Sequence, residues 1–197
     1  MDLNLFWRGP LRSGNFPTDP ESIENLNQVG IYLRIKLYQN GRTVAYVGQS
    51  RTLISRFDQH LTRLLSLRQP LRDSNGLVVE HCYVENRLVV LNGIAEMAPL
   101  AIEEILRTEF YFALAQDGFD INYLTLIEAM LKKRAENITR QRLENIKNIN
   151  PGEFDHEISI VSDFSNVDVR GVKLIKGIIG KTPINIPMAQ EDLMHAG

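Results

Sequence analysis

The sequence predicts an α+β fold: a small antiparallel or mixed sheet of about three strands flanked by helices, with an N-terminal arm and a C-terminal helix and tail. Three observations predict it. Residues 30 to 38, GIYLRIKLY, alternate apolar and polar, the period of a half-buried strand. Asn40-Gly41 is a hairpin turn signal, and TVAYVG returns as a second strand. Leu53, Phe57, Leu61 and Leu64 then recur at helical spacing, joined by Ile54 and Leu65.

The remaining elements follow in order. Residues 1 to 29 carry Pro10, Pro17 and Pro20 and read as an irregular arm, with a short helical turn at SIENLNQ. Whether Trp7 staples that arm to the core, meets a second copy or wedges into a nucleic acid is open at this level. Ser50 can cap the helix after the second strand. LVVEHCYV and RLVVLNGIAEM suggest one or two more strands. Pro99 starts a helix over PLAIEEILRTEFYFALA, which Asp117-Gly118 ends. A third helix, over roughly 123 to 148, is rich in cations. The tail holds a strand, ISIV, and the acid-free segment RGVKLIKGIIGK. The organisation expected is an arm over 1–29, a core over 30–120, and a basic helix with its extension over 121–197.

Composition limits the function classes. At 44% apolar and 23% charged the chain can bury a core and resembles an ordinary globule. No apolar run reaches ~18 residues, so no membrane partner is expected. The N-terminus lacks a basic start followed by an apolar block, the mark of a secretory signal. Cys82 is the single cysteine, which argues against a disulfide framework and fits a reducing, cytoplasmic setting. The net charge of −2 counts mildly against nucleic acid, unless cations gather on one face. Lys132, Lys133, Arg134, Arg140, Arg142 and Lys147 on the long helix could gather in that way. So could Arg170, Lys173, Lys176 and Lys181 in the tail. The bland alternative for both groups is a solvated face.

One constellation carries chemistry. Tyr32 and Tyr46 lie on neighbouring strands, so both phenols can emerge on one sheet face. Arg56 and His60 project from the next helix four residues apart. Glu103 lies early on the later helix. Two phenols, a guanidinium, an imidazole and a carboxylate suit phosphodiester hydrolysis. The carboxylate can hold one hard divalent cation, and the arginine can clamp phosphate oxygens. A phenol near these charges can lose its proton more readily and serve as base. Each residue alone has a plainer reading: a strand tyrosine with a wet hydroxyl, a surface cation, a capping histidine or an exposed acid.

These residues resemble the GIY-YIG nuclease superfamily. The first motif stands as Gly30-Ile31-Tyr32, and the second as the variant Tyr46-Val47-Gly48. Arg56 holds the place of the family arginine, and His60 matches the subset with an R-x-x-x-H helix. PLAIEEILRTEF is similar to the carboxylate helix of the family's type II restriction enzymes, with one extra residue before the glutamate. The resemblance covers roughly residues 30 to 112. It implies catalytic roles for Tyr32, Tyr46, Arg56, His60 and Glu103, with Glu103 binding Mg²⁺ or Mn²⁺. Glu104 replaces Glu103 if the register shifts, and Glu128 in LIEAMLKK resembles the carboxylate helix of repair-type members. Asn122 is a looser candidate for the family's late amide.

The implied activity is a DNA endonuclease of restriction type, cutting both strands of double-stranded DNA as a homodimer and leaving a 5′ phosphate. Two rivals stand beside it. One is a phage, mobile-element, repair or toxin-like member of the family, acting on DNA or RNA. The other is a catalytically silent domain that only binds a nucleic acid or a protein.

Overall fold

The structure, a computed structural model, describes residues 1–12, 18–79, 81–84, 87–90, 94–115, 122–138, 143–144 and 157–186. Its elements in chain order are β1 (Asp2–Leu11), α1 (Pro20–Leu26), β2 (Gly30–Leu37), β3 (Thr43–Ser50), α2 (Leu53–Leu65), β4 (His81–Val84) and β5 (Arg87–Val90). Then come α3 (Ile94–Leu106), β6 (Thr108–Ala115), α4 (Asn122–Ile138), β7 (Ile158–Val167), α5 (Val169–Ile179) and β8 (Ile184–Ile186). No described helix is long and apolar enough to cross a membrane.

The expected small sheet of about three strands is overturned. The main sheet has six strands in the order β3-β2-β6-β1-β7-β8, and β4–β5 form a separate hairpin. It is mixed, because β1 pairs parallel with β7 while the other neighbours are antiparallel. Among the described residues five helices accompany it. Three segments read otherwise from sequence supply two of the extra strands and a helix. Residues 2 to 11, expected as an irregular arm, form a central strand. TEFYFALA, expected as the end of a helix, is β6, lying between β2 and β1. RGVKLIKGII forms α5, capped by the Asp168 side chain accepting from the Gly171 N–H at 2.6 Å.

Smaller differences have local causes. Helix α3 begins at Ile94, so Pro99 lies inside it rather than at its start. Ser50 does not cap α2: its hydroxyl closes a turn with Thr52, which is the N-cap residue. In the β2–β3 turn Gly41 takes the positive φ, while the Tyr38 N–H bonds the Arg42 carbonyl at 2.9 Å. The described part of the long helix ends at Ile138. Arg140, Arg142, Lys147, Asp117-Gly118 and the Cys82 side chain lie outside the described residues.

Pleating sorts the sheet's two faces. One carries Leu3, Leu5 and Trp7 from β1, Ile31, Leu33 and Ile35 from β2, and Tyr111 and Ala113 from β6; it packs on α4 and α5 in one large core. The other carries Tyr32, Phe110 and Phe112, which pack with Leu26 of α1 and Leu53 and Phe57 of α2. The sheet is thus the middle layer of three. Trp7, whose role the sequence left open, is fully buried, stacks on Phe164 and donates its indole N–H to Ser162 Oγ at 3.1 Å. Trp7→Ala is expected to cost about 3–5 kcal/mol of stability in urea unfolding; a loss below about 1 kcal/mol would remove the residue from the core.

Candidate functional site

The β2–β3 register sets the site. Gly48 pairs with Tyr32 and Tyr46 with Arg34, so Tyr32, Arg34, Lys36 and Tyr46 all face the α1–α2 side. The Tyr32 ring lies directly over Gly48, where any Cβ would collide with it. It stacks on Phe110 at 4.9 Å and on Tyr46 at 5.8 Å between centroids. Across from these rings, α2 presents Leu53, Phe57, His60 and Leu64 inward. His60 therefore lies on the buried stripe of α2 with Leu53, Phe57 and Leu64.

His60 links two β2 residues. Its Nε2 is 3.0 Å from Tyr32 Oη and its Nδ1 is 2.8 Å from Arg34 Nη1. A guanidinium can only donate, so Nδ1 accepts. The ring proton is then on Nε2, which donates to the Tyr32 oxygen. Burial, and then the cations Arg34, Arg63 and Arg56, push the imidazole down to about 2, so His60 is neutral. Burial also holds the Tyr32 phenol above its usual range; Arg56 and Arg34 pull the other way. The readily ionised phenol that the sequence suggests is not what this environment provides unaided.

Further along β2 the same face carries charge. Arg34 donates to Gln69 Oε1 at 2.9 Å, lies 5.2 Å from the Tyr46 ring centroid, and pairs with the Glu144 carboxylate. Lys36 pairs with Glu104 at 2.5 Å and with Glu144 at 3.4 Å; Arg72 adds a 3.6 Å contact to Glu144. Glu104 also accepts from Tyr38 Oη at 3.0 Å and from Arg107 at 3.2 Å. Burial, and then the Arg34 charge, push the Lys36 ammonium down to about 7.

Of the residues singled out by sequence, Tyr32, Tyr46 and His60 come together. Arg56 is exposed, one turn before His60, with its guanidinium on Gln59 at 2.9 Å. Glu103 does not join them: it is half exposed and bridges Arg107 at 2.7 Å. Its neighbour Glu104 is the buried one, and that pairs with Lys36, roughly 13 Å along the strand from Tyr32 at ~3.3 Å per residue. Glu128 pairs with Lys132 at 2.7 Å, on a helix packed against the opposite sheet face. The Asn122 side chain lies outside the described residues.

The sequence reading missed Arg34 and Glu144, which tie His60 to a carboxylate. For Arg34 the signal was its place two residues after Tyr32 on one face of a strand. None marked Glu144, which is 110 residues from Arg34. Among the described residues no three His, Cys, Asp or Glu side chains gather as a metal cage. A one-carboxylate metal site does not need three, but Glu103, Glu104, Glu128 and Glu144 are each engaged by a cation. As placed, these four do not fit a divalent ion beside Tyr32.

No protein-family model, curated protein or solved structure matches the chain. The GIY-YIG resemblance therefore rests on the residues themselves.

Two outcomes follow from this geometry. Gly48→Ala is expected to displace the Tyr32 ring and to cost about 1–3 kcal/mol, read as a lowered urea midpoint; an unchanged midpoint would mean that the ring moves freely. His60 gives a pH dependence. The unfolded imidazole takes up a proton below pH 6.5, whereas the folded one stays neutral down to about 2. Stability is then full above pH 6.5 and falls as pH drops below it, by about 1.4 kcal/mol per pH unit from this group. Comparing wild type with His60→Gln between pH 7 and 5 isolates the effect; parallel slopes would contradict it.

Proposed function

We propose that the chain is a nuclease that hydrolyses phosphodiester bonds, with the Tyr32 oxygen as proton acceptor for the attacking water. The observation that carries the reading is the hydrogen-bonded chain from Arg34 through His60 to Tyr32. Arg34 donates to His60 and His60 to the Tyr32 oxygen, which favours release of the phenol proton to solvent, leaving a phenolate, once further positive charge arrives. Tyr46 holds the ring face, and Arg56, with no described carboxylate partner, is placed to receive a phosphate oxygen.

The substrate proposed is double-stranded DNA. One such group per protomer implies two copies for a double-strand cut, hence a homodimer. Mg²⁺ or Mn²⁺ dependence is what the family resemblance implies.

Burial favours a second reading. Tyr32 is 2% and His60 5% exposed, as expected of a polar cluster that holds a core together in a domain that binds nucleic acid without cutting it. Incubation of supercoiled plasmid with the protein over a range of Mg²⁺ and Mn²⁺ separates the two. Under the nuclease reading wild type linearises the plasmid, and Tyr32→Phe and Arg56→Ala slow it by roughly 100-fold or more. Glu103→Ala and Glu128→Ala, assayed in parallel, report whether either carboxylate takes part. Plasmid and RNA left intact under all conditions, with a gel shift retained, would establish the binding reading instead.

A further inference from the structure

A second polar site lies on the same sheet face. Arg8 of β1 pairs with Phe112 of β6, Phe112 pairs with Tyr32 of β2, and Asn166 of β7 pairs with Arg8 on the other side. These residues form one row across the sheet, so Arg8 is two strands from Tyr32, roughly 10 Å at ~4.8 Å per strand. Over this end of the row lies an open cleft of about 340 Å³ between β1, β7 and α1. Arg8, Ser22, Asn25 and Asn166 give it polar walls, and Leu11 and Phe112 an apolar floor.

The cleft has a cation without a counter-charge. Arg8 Nε is shielded from water and has no hydrogen-bond partner, and Arg8 makes no ion pair among the described residues. That is costly for a guanidinium, and such an orphan calls for an explanation. No lining residue is acidic. The nearby acid Asp19 is used as the N-cap of α1, accepting the Ser22 N–H at 2.8 Å. The side-chain amides of Asn25 and Asn166 also make no hydrogen bond among the described residues.

We propose that this cleft is a binding site for a phosphate ester, with the anion on Arg8 and the organic part on Phe112 and Leu11. A planar guanidinium with two amides offers more donors than the two oxygens of a carboxylate can use, whereas a phosphate presents more acceptor oxygens to the same walls. The volume exceeds what a bare anion needs and falls in the range of small-molecule sites. The same chemistry is offered by a free nucleotide or by a phosphodiester of a nucleic-acid strand entering the cleft. The site does not depend on the nuclease reading.

The test titrates full-length protein with inorganic phosphate, a nucleoside 5′-monophosphate and a short single-stranded DNA, each in the Tyr32→Phe background so that cleavage plays no part. The readouts are calorimetry and the NMR signal of the Arg8 Nε–H. A saturable shift is expected with the mononucleotide, and Arg8→Ala and Asn166→Ala each weaken binding by roughly tenfold or more. Tighter binding of the oligonucleotide than of the mononucleotide, equally sensitive to Arg8, assigns the site to a strand; the reverse assigns it to a free nucleotide. Asn166 is exposed, so its variant keeps the test open if Arg8→Ala does not fold. Absence of any saturable shift up to roughly 10 mM, or an affinity left unchanged by both substitutions, overturns the proposal. Failure of the wild-type protein to cleave plasmid, with this binding intact, would remove the nuclease reading alone.

Discussion

The structure depends on one constraint: β2 is buried on both faces and carries two cations on one of them. Arg34 and Lys36 are 2% and 1% exposed. Burying a charge is costly unless it is paired and hydrogen-bonded. Two carboxylates from distant parts of the chain meet that requirement, Glu104 from α3 and Glu144 from the segment beside β3. Each does a second thing. Glu104 fixes α3 against the sheet with help from Tyr38 and Arg107. Glu144 comes with a bridge from Leu143 to Ala45 and an N–H bond to the Ala45 carbonyl, which cover the outer edge of β3. The network is weak evidence for net stability, because desolvation offsets much of the attraction. What it specifies is which helix and which edge segment pack where.

The same network orients His60. Arg34 donates to Nδ1, so the imidazole must present its proton to Tyr32. A buried neutral imidazole without that donor could take either tautomer. The position of Glu144 is therefore felt at the Tyr32 oxygen through two intervening side chains, Arg34 and His60.

The legible parts of the sequence were those governed by local pattern. The β2–β3 hairpin was readable because alternation and an Asn-Gly turn agree, and α2 because its apolar spacing is helical. Strand β1 was hidden by Gly9-Pro10 and the later prolines, although Leu3, Leu5 and Trp7 alternate as a buried strand requires. Strand β6 was hidden because TEFYFALA follows α3 with no glycine or proline between, and a short run of aromatics and alanines suits either state. Within the site, Tyr32, Tyr46 and His60 were readable from short spacings. Arg34 looked like the solvated half of an amphipathic strand, because covering of the second face depends on helices elsewhere in the chain. Glu103 and Glu104 are adjacent on a helix, and one step of register, about 100° of rotation, decides which points inward. That rotation is set by Lys36 and Tyr38, which no local pattern reveals.

The distribution of unspent positive charge then orders the sheet face. Arg34 and Lys36 are nearest the centre of the network, but their charge is consumed by Glu104 and Glu144. A phosphate arriving at Tyr32 could use Arg34 only by displacing Glu144 from three cations at once. Arg56 has no such competitor, because its described partner is the neutral Gln59. Arg8, two strands from Tyr32, has no charged partner among the described residues either. The buried cations thus build the frame, while Arg56 and Arg8, neither paired with a carboxylate among the described residues, keep their charge for an anion. An anion at either arginine would meet positive charge without breaking the buried network, whereas Tyr32 itself lies beneath α1 and α2.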